Sequence, residues 1–202
     1  MSGDVPHRKR VKHYHEPGDL HELTFSCFKR LPLLTNVRRR TRLARAIDAA
    51  AERFAFGIAA FVFMPEHVHL LLVPSRQETV PEDISSFLSQ VKRDVSAEAK
   101  ADLTESGSPL LERLTIRTRP GVRAFRFWQE GPGYDRNLQS AEAVLASFHY
   151  IHRNPVDRGL VERIDQWRWS SARWWLSEGT VIDPELPKIT KLPPELFLGG
   201  GS

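Results

Sequence analysis

Phe61-Val-Phe-Met-Pro-Glu-His67-Val-His69-Leu-Leu-Leu-Val73 holds two apolar stretches of strand length, interrupted at Pro65-Glu66. The first reaches back to Phe56, so Phe56 to Met64 and His67 to Val73 predict two adjacent strands with a tight connection. Side chains alternate between the faces of a strand, which sets His67 and His69 on one face and Val68 and Leu70 on the other. Two imidazoles on one face have the form of a bidentate metal site. Taken alone, the pair is a weak signal, because partly buried strand histidines satisfied by backbone groups show the same pattern.

Upstream, Leu20 to Lys29 alternates Leu23, Phe25 and Cys27 against Thr24, Ser26 and Phe28, a strand pattern. Asn36 to Phe54 predicts a helix capped by Thr35 or Asn36, with Val37, Ala44, Ile47, Ala51 and Phe54 at helical spacing and Arg38, Arg42 and Arg45 on its other side. Downstream, Thr79-Val-Pro-Glu82 has capping-box spacing, and Ile84, Phe87, Leu88, Val91 and Val95 form an amphipathic stripe. The order strand, helix, strand, strand, helix matches the start of a ferredoxin-like fold. The predicted class is therefore α+β, an antiparallel sheet with helices on one face, with Val122 to Gln129 expected as the fourth strand after a loop near 104 to 121. Ser140 caps a further helix with Val144, Leu145, Phe148 and Ile151 on one side and Ser147, Tyr150 and Asn154 opposite; Pro155 is expected to end it at or just before Asn154. Residues 1–19 read as a basic arm, 20–178 as one domain whose Trp167, Trp169, Trp174 and Trp175 form a packing appendage, and 179–202 as a poorly ordered tail.

Lys and Arg exceed Asp and Glu by only 29 to 25, but the basic residues cluster at 8–12, 38–42 and 113–126. Clusters of this kind favour a polyanionic partner. Lone Cys27 excludes an internal disulfide framework and a cysteine-based zinc cluster, so any metal must use His and oxygen ligands. The absence of a membrane-length apolar run and of a signal-like N-terminus predicts a cytoplasmic protein without a membrane partner.

Tyr150 and Asn154 stand one helical turn apart, so a phenol and an amide oxygen would face the same space. With two imidazoles nearby, that arrangement suits metal-dependent phosphodiester cleavage: the phenol is a weak nucleophile, and a metal ion polarises phosphate oxygens. His149 and His152 read as solvent-facing. Glu66 reads either as a support for the His pair or as a surface residue. Trp128 and Tyr134 are stacking candidates for nucleic acid, with core packing the plainer reading of Trp128.

Six segments in this order resemble the REP-associated tyrosine transposases, relatives of the single-tyrosine HUH transposases, over about residues 8 to 175: 64–72 (Met-Pro-Glu-His-Val-His-Leu-Leu-Leu), 127–129 (Phe-Trp-Gln), 133–135 (Gly-Tyr-Asp), 150–156 (Tyr-Ile-His-Arg-Asn-Pro-Val), 159–162 (Gly-Leu-Val-Glu) and 167–171 (Trp-Arg-Trp-Ser-Ser). The resemblance implies that His67, His69 and Asn154 bind a divalent metal ion, Mg2+ or Mn2+, and that Tyr150 on a separate C-terminal helix is the nucleophile of a 5′-phosphotyrosine intermediate. It implies a substrate of single-stranded DNA bearing REP-like hairpins, with no organic cofactor. The chain would act as a monomer or homodimer, its tyrosine helix packed in cis or swapped. Arg8, Lys9, Arg10, Lys12, Lys92, Arg93, Arg136 and Arg153 are the candidate DNA contacts. Two departures stand out: a long spacing from His69 to Tyr150, and Arg136 where many relatives have histidine. The rival readings are a non-catalytic binder of structured nucleic acid and a replication-initiator-like HUH nuclease.

Overall fold

The computed structural model describes residues 20–75, 83–131 and 133–192. The arm with Arg8, Lys9, Arg10 and Lys12, and the Thr79–Glu82 cap, lie outside the described residues. The strands are β1 (Leu20–Ser26), β2 (Phe56–Phe63), β3 (His67–Pro74), β4 (Thr115–Arg119), β5 (Val122–Phe125) and β6 (Tyr134–Leu138). The helices are α1 (Val37–Arg53), α2 (Ile84–Glu105), α3 (Pro109–Arg113), α4 (Ala141–Asp157) and α5 (Ala172–Leu176). None is long and apolar enough to cross a membrane.

The four-stranded sheet runs β2-β3-β1-β6 with antiparallel pairings, the ferredoxin-like order. Its fourth strand is β6, not the expected Val122 to Gln129. Within that segment Val122–Phe125 pairs with β4 as a separate hairpin, while Trp128 bridges only to Cys27. The expected loop near 104 to 121 is the end of α2, then α3 and β4. Ser108 caps α3 just ahead of Pro109, a proline at a position where no helical N–H is needed.

Alternation along the strands sorts the core. Leu23, Phe25, Val68, Leu70 and Leu72 face α1 and α2, whereas Leu20, Leu71, Val73 and Leu138 face Val144 and Ile151 of α4. In β2 a register shift between Ile58 and Ala60 changes the phase, so Ile58 and Phe61 share one core while Ala59 and Ala60 join the other. Asn36 caps α1 and accepts from Arg39 N; Asp83 caps α2 and accepts from Ser86 N. The 38–42 cluster is largely taken up by structure. Arg40 is buried between the rings of Trp167 and Trp169, and Arg42 pairs with Glu98 and Asp102.

The segment from 179 to 192 is packed onto the domain, contrary to the expected tail. Ile189 bridges Ile58 on the outer edge of β2, Thr190 N–H donates to Ile58 O at 2.9 Å, and Arg168 pairs with Asp183 and Glu185. A Cβ on Gly57 would lie 2.5 Å from Thr190 Oγ1, so glycine lets this strap approach.

Gly133 enters β6 with φ +92°, and a Cβ there would lie 2.4 Å from Thr24 O. Gly133→Ala combines left-handed strain with a backbone clash, so it is expected to cost about 3 kcal/mol or more, read as a lowered urea midpoint. A loss below about 1 kcal/mol would contradict the close approach of β6 to Thr24.

Candidate active site

His67 and His69 face α4, as the alternation requires, with ring centroids 4.7 Å apart. The β1–β3 register sets Ser26 opposite His67 and Thr24 opposite His69. Thr24 Oγ1 lies 2.7 Å from His69 Nδ1, and Glu66 Oε1 lies 3.1 Å from His67 Nδ1. Glu66 also pairs with Arg158 Nη1 at 2.8 Å. Both Nδ1 atoms are thus held by oxygen partners, which orients each ring and directs its Nε2 edge away from those contacts. The question left open for Glu66 is decided by its burial and its two partners: it supports the His pair.

Helix α4 brings the remaining groups within the same chain. The Tyr150 ring stands edge-to-face to His69 with centroids 5.2 Å apart, and Asn154 Nδ2 lies 3.4 Å from His69 Nε2. His69 is 3% exposed and Asn154 5%, whereas Tyr150 is 49% exposed, so a large substrate can reach the phenol. The helix does not stop at Pro155 but continues to Asp157. Proline removes only its own N–H, and Arg158 N–H still donates to Asn154 O, carrying the chain one more turn. That turn delivers Arg158 to Glu66. Ser147 and Asn154 are buried toward the sheet with Val144 and Ile151, not opposite them. Of the flanking histidines, His149 is exposed as expected, but His152 is buried, its Nε2 2.7 Å from Ser171 Oγ.

His67, His69, Ser147, Tyr150, Asn154 and Arg158 line an open cleft of about 660 Å³, together with Glu22, Thr24, Arg30, Tyr134 and Arg136. Glu22 is buried and directly opposite Arg136 in the β1–β6 register. Arg30 and Lys29 both adopt left-handed backbone, φ 55° and 53°, which turns the chain back at the end of β1; Arg30 Nη1 donates to Ser26 Oγ at 3.1 Å. Of the candidate DNA contacts in the described residues, only Arg136 lines this cleft. Lys92 and Arg93 lie on α2, across the sheet, with Lys92 Nζ donating to Gly131 O at 2.8 Å. Arg153 is exposed on α4 and pairs with Asp157. Tyr134 is exposed beside the cleft, whereas Trp128 is core.

Burial pushes the His67 pKa below the usual histidine value, partly opposed by Glu66. His69 is pushed down to about 3 by burial, with His67, Arg30 and Arg158 adding to the effect. Burial, then the nearby His149, lowers His152 to about 4. These imidazoles are neutral at pH 7, the form a metal ligand needs. In the unfolded chain each takes a proton near 6.5, so the stability gained from neutral burial is complete above that pH and declines as pH falls toward 4 and 3. Between pH 7 and 5 the urea midpoint should drop, with on the order of 1 to 2 kcal/mol lost for each of His69 and His152, and His152→Gln should flatten the slope. A profile flat over that range would contradict neutral burial.

Among the described residues no three His, Cys, Asp or Glu side chains converge as a metal-ligand set. A third protein ligand would have to be the Asn154 amide. Its Oδ1 is buried without a hydrogen-bond partner, a free acceptor beside two neutral imidazoles. A buried oxygen in that condition fits a role as ligand to a divalent ion.

A curated protein of Haemophilus influenzae named "Putative REP-associated tyrosine transposase" is 25% identical over 127 residues, 62% of this chain and 64% of that protein. A solved REP-associated tyrosine transposase, bound to a REP hairpin, superposes with a TM-score of 0.64 at 20% identity, covering 92% of this chain and 95% of the other. This chain is similar to the REP-associated tyrosine transposases. The alignment spans less than two thirds of the curated transposase, and the solved transposase carries the same fold. No family model matches.

Sequence reasoning missed Arg158, Arg30, Thr24 and the Glu66 contacts. Arg158 had a signal, four residues beyond Asn154 on the same helical face. Arg30 had none, because consecutive left-handed non-glycine residues are not written in a pattern.

Proposed function

We propose that the cleft cuts and rejoins single-stranded DNA by transesterification through Tyr150. The observation that carries this reading is the edge-to-face contact of Tyr150 with His69, which sets an exposed phenol beside neutral imidazoles and a free amide oxygen. Tyr150 Oη would attack the scissile phosphorus, forming a 5′-phosphotyrosine and releasing a 3′-hydroxyl; the bond energy is retained for rejoining. His67, His69 and Asn154 would hold a divalent ion, Mg2+ or Mn2+, with manganese the better match to two imidazoles. When bound, such an ion polarises the phosphate oxygens. Arg30 and Arg136 face the cleft and would hold the DNA backbone, while Glu66, fixed by Arg158, keeps His67 oriented. Single strands bearing hairpins are the proposed substrate, by likeness to the solved transposase bound to a REP hairpin.

The test uses a pool of 3′-labelled single strands that carry hairpins with randomised flanks. With Mn2+ the reading expects a labelled adduct that survives denaturing electrophoresis and is absent in chelator. Strands that bind without ever forming an adduct would overturn it in favour of a non-catalytic binder.

A further inference from the structure

The β4–β5 hairpin lies outside the four-stranded sheet, and the proposed chemistry does not use it. Its root is firm: Leu114 and Phe127 are buried, and Arg126 N–H donates to Leu114 O at 2.7 Å. Its outer part is not covered. Residues 117 to 123 are exposed, and Val122 is 50% exposed beside the turn at Gly121.

This ribbon is basic on its own account. Arg117 stands directly opposite Arg123 across the two strands, and Arg119 opposite Val122. Like charges directly opposite destabilise a strand pair, and a two-stranded ribbon is marginal to begin with. Among the described residues the side chains of Arg117 and Arg119 have no ion-pair or hydrogen-bond partner, and that of Arg123 reaches only Glu112, at 3.9 Å, and Thr115 O, at 3.5 Å. A repulsive arrangement held on a rigid root is matched by an anion outside the chain.

The root also fixes where that anion lies. The return from β5 runs along the end of β1: Phe28 N–H donates to Phe127 O, and Gln129 N–H donates to Ser26 O. Ser26 is opposite His67, and Arg30 of the same turn lines the cleft. One end of the sheet therefore carries both the His pair and the ribbon. A two-stranded ribbon fits the major groove of a DNA duplex, whose phosphates flank it on both sides.

We propose that the β4–β5 hairpin grips the duplex stem of a hairpin-bearing DNA whose single-stranded flank enters the cleft. This rests on the proposed function for the nature of the substrate. The charges discriminate stem-bearing from unstructured strands.

The test is the triple variant R117Q/R119Q/R123Q, measured by fluorescence anisotropy across a salt series against two strands of equal length, one with a hairpin and one unstructured. Expected is a loss of about tenfold or more for the hairpin strand, with a salt slope smaller by about 2 to 3, and a change within about twofold for the unstructured strand. Thermal unfolding should show the variant at least as stable as the wild type, since a repulsive pair is removed. Equal loss on both strands, loss on the unstructured strand alone, or no loss on either overturns the proposal. The readout is binding, so an absent covalent adduct would sink the transesterase reading while this result stood.

Discussion

Tyr150→Phe should bind a hairpin-bearing strand within about twofold of the wild type, yet form no covalent adduct and cleave at least about a thousandfold more slowly. The substitution removes one hydroxyl from a ring that is half exposed, and within the described residues that hydroxyl makes no hydrogen bond. The edge-to-face contact with His69 is made by the ring and survives. Stability should therefore stay within about 0.5 kcal/mol, and the loss would be one of chemistry. Adduct formation at the wild-type rate would require a different nucleophile and would end the assignment of Tyr150.

His69→Ala should be at least as damaging to cleavage, and it should differ from Tyr150→Phe in two further readouts. His69 sits between Thr24 and Asn154, so its loss leaves a half-buried hydroxyl and a buried amide without that partner and opens a small void. A destabilisation of about 1 to 3 kcal/mol follows. Binding of Mn2+, followed by titration calorimetry without DNA, should weaken by tenfold or more, whereas Tyr150→Phe should leave it unchanged. Unaltered Mn2+ affinity in His69→Ala would remove the His pair from any metal site, whatever the effect on activity.

Three strands of the sheet, β1, β2 and β3, were legible because they are written in periodicity. Alternation through His67 to Val73 is a local signal, and the structure keeps it residue for residue. The fourth strand was misplaced for a physical reason. Val122 to Gln129 is richer in strand-forming residues than Tyr134–Leu138, but β-propensity measures fit to a half-buried surface and does not say which partner strand is available. The polar Tyr-Asp-Arg-Asn-Leu segment is a strand because β1 presents an open edge and Gly133 permits the close entry. Helix α4 was located by its cap and stripe, whereas its end was misjudged: the preference of the residue before proline for extended backbone was overridden by tertiary packing of Asn154 and by the turn that Arg158 completes. Spacing brought Tyr150 and Asn154 together on one helix and His67 and His69 together on one strand face, and the structure sets the two pairs side by side. Thr24 and Arg30 belong to the site only through cross-strand register and a left-handed turn, which no linear pattern announces.

The strap along β2 bears on how far this protein can be shortened. The sheet has two borders, and Ile189 and Thr190 cover the one formed by β2 at Ile58. A fragment ending at residue 178 would keep every side chain of the cleft, and the cover that Trp169 and Ser171 give Phe63 and Phe61, yet bare the strand backbone at Ile58, where another copy can pair. Ile189 and Thr190 thus guard that end of the border against clumping.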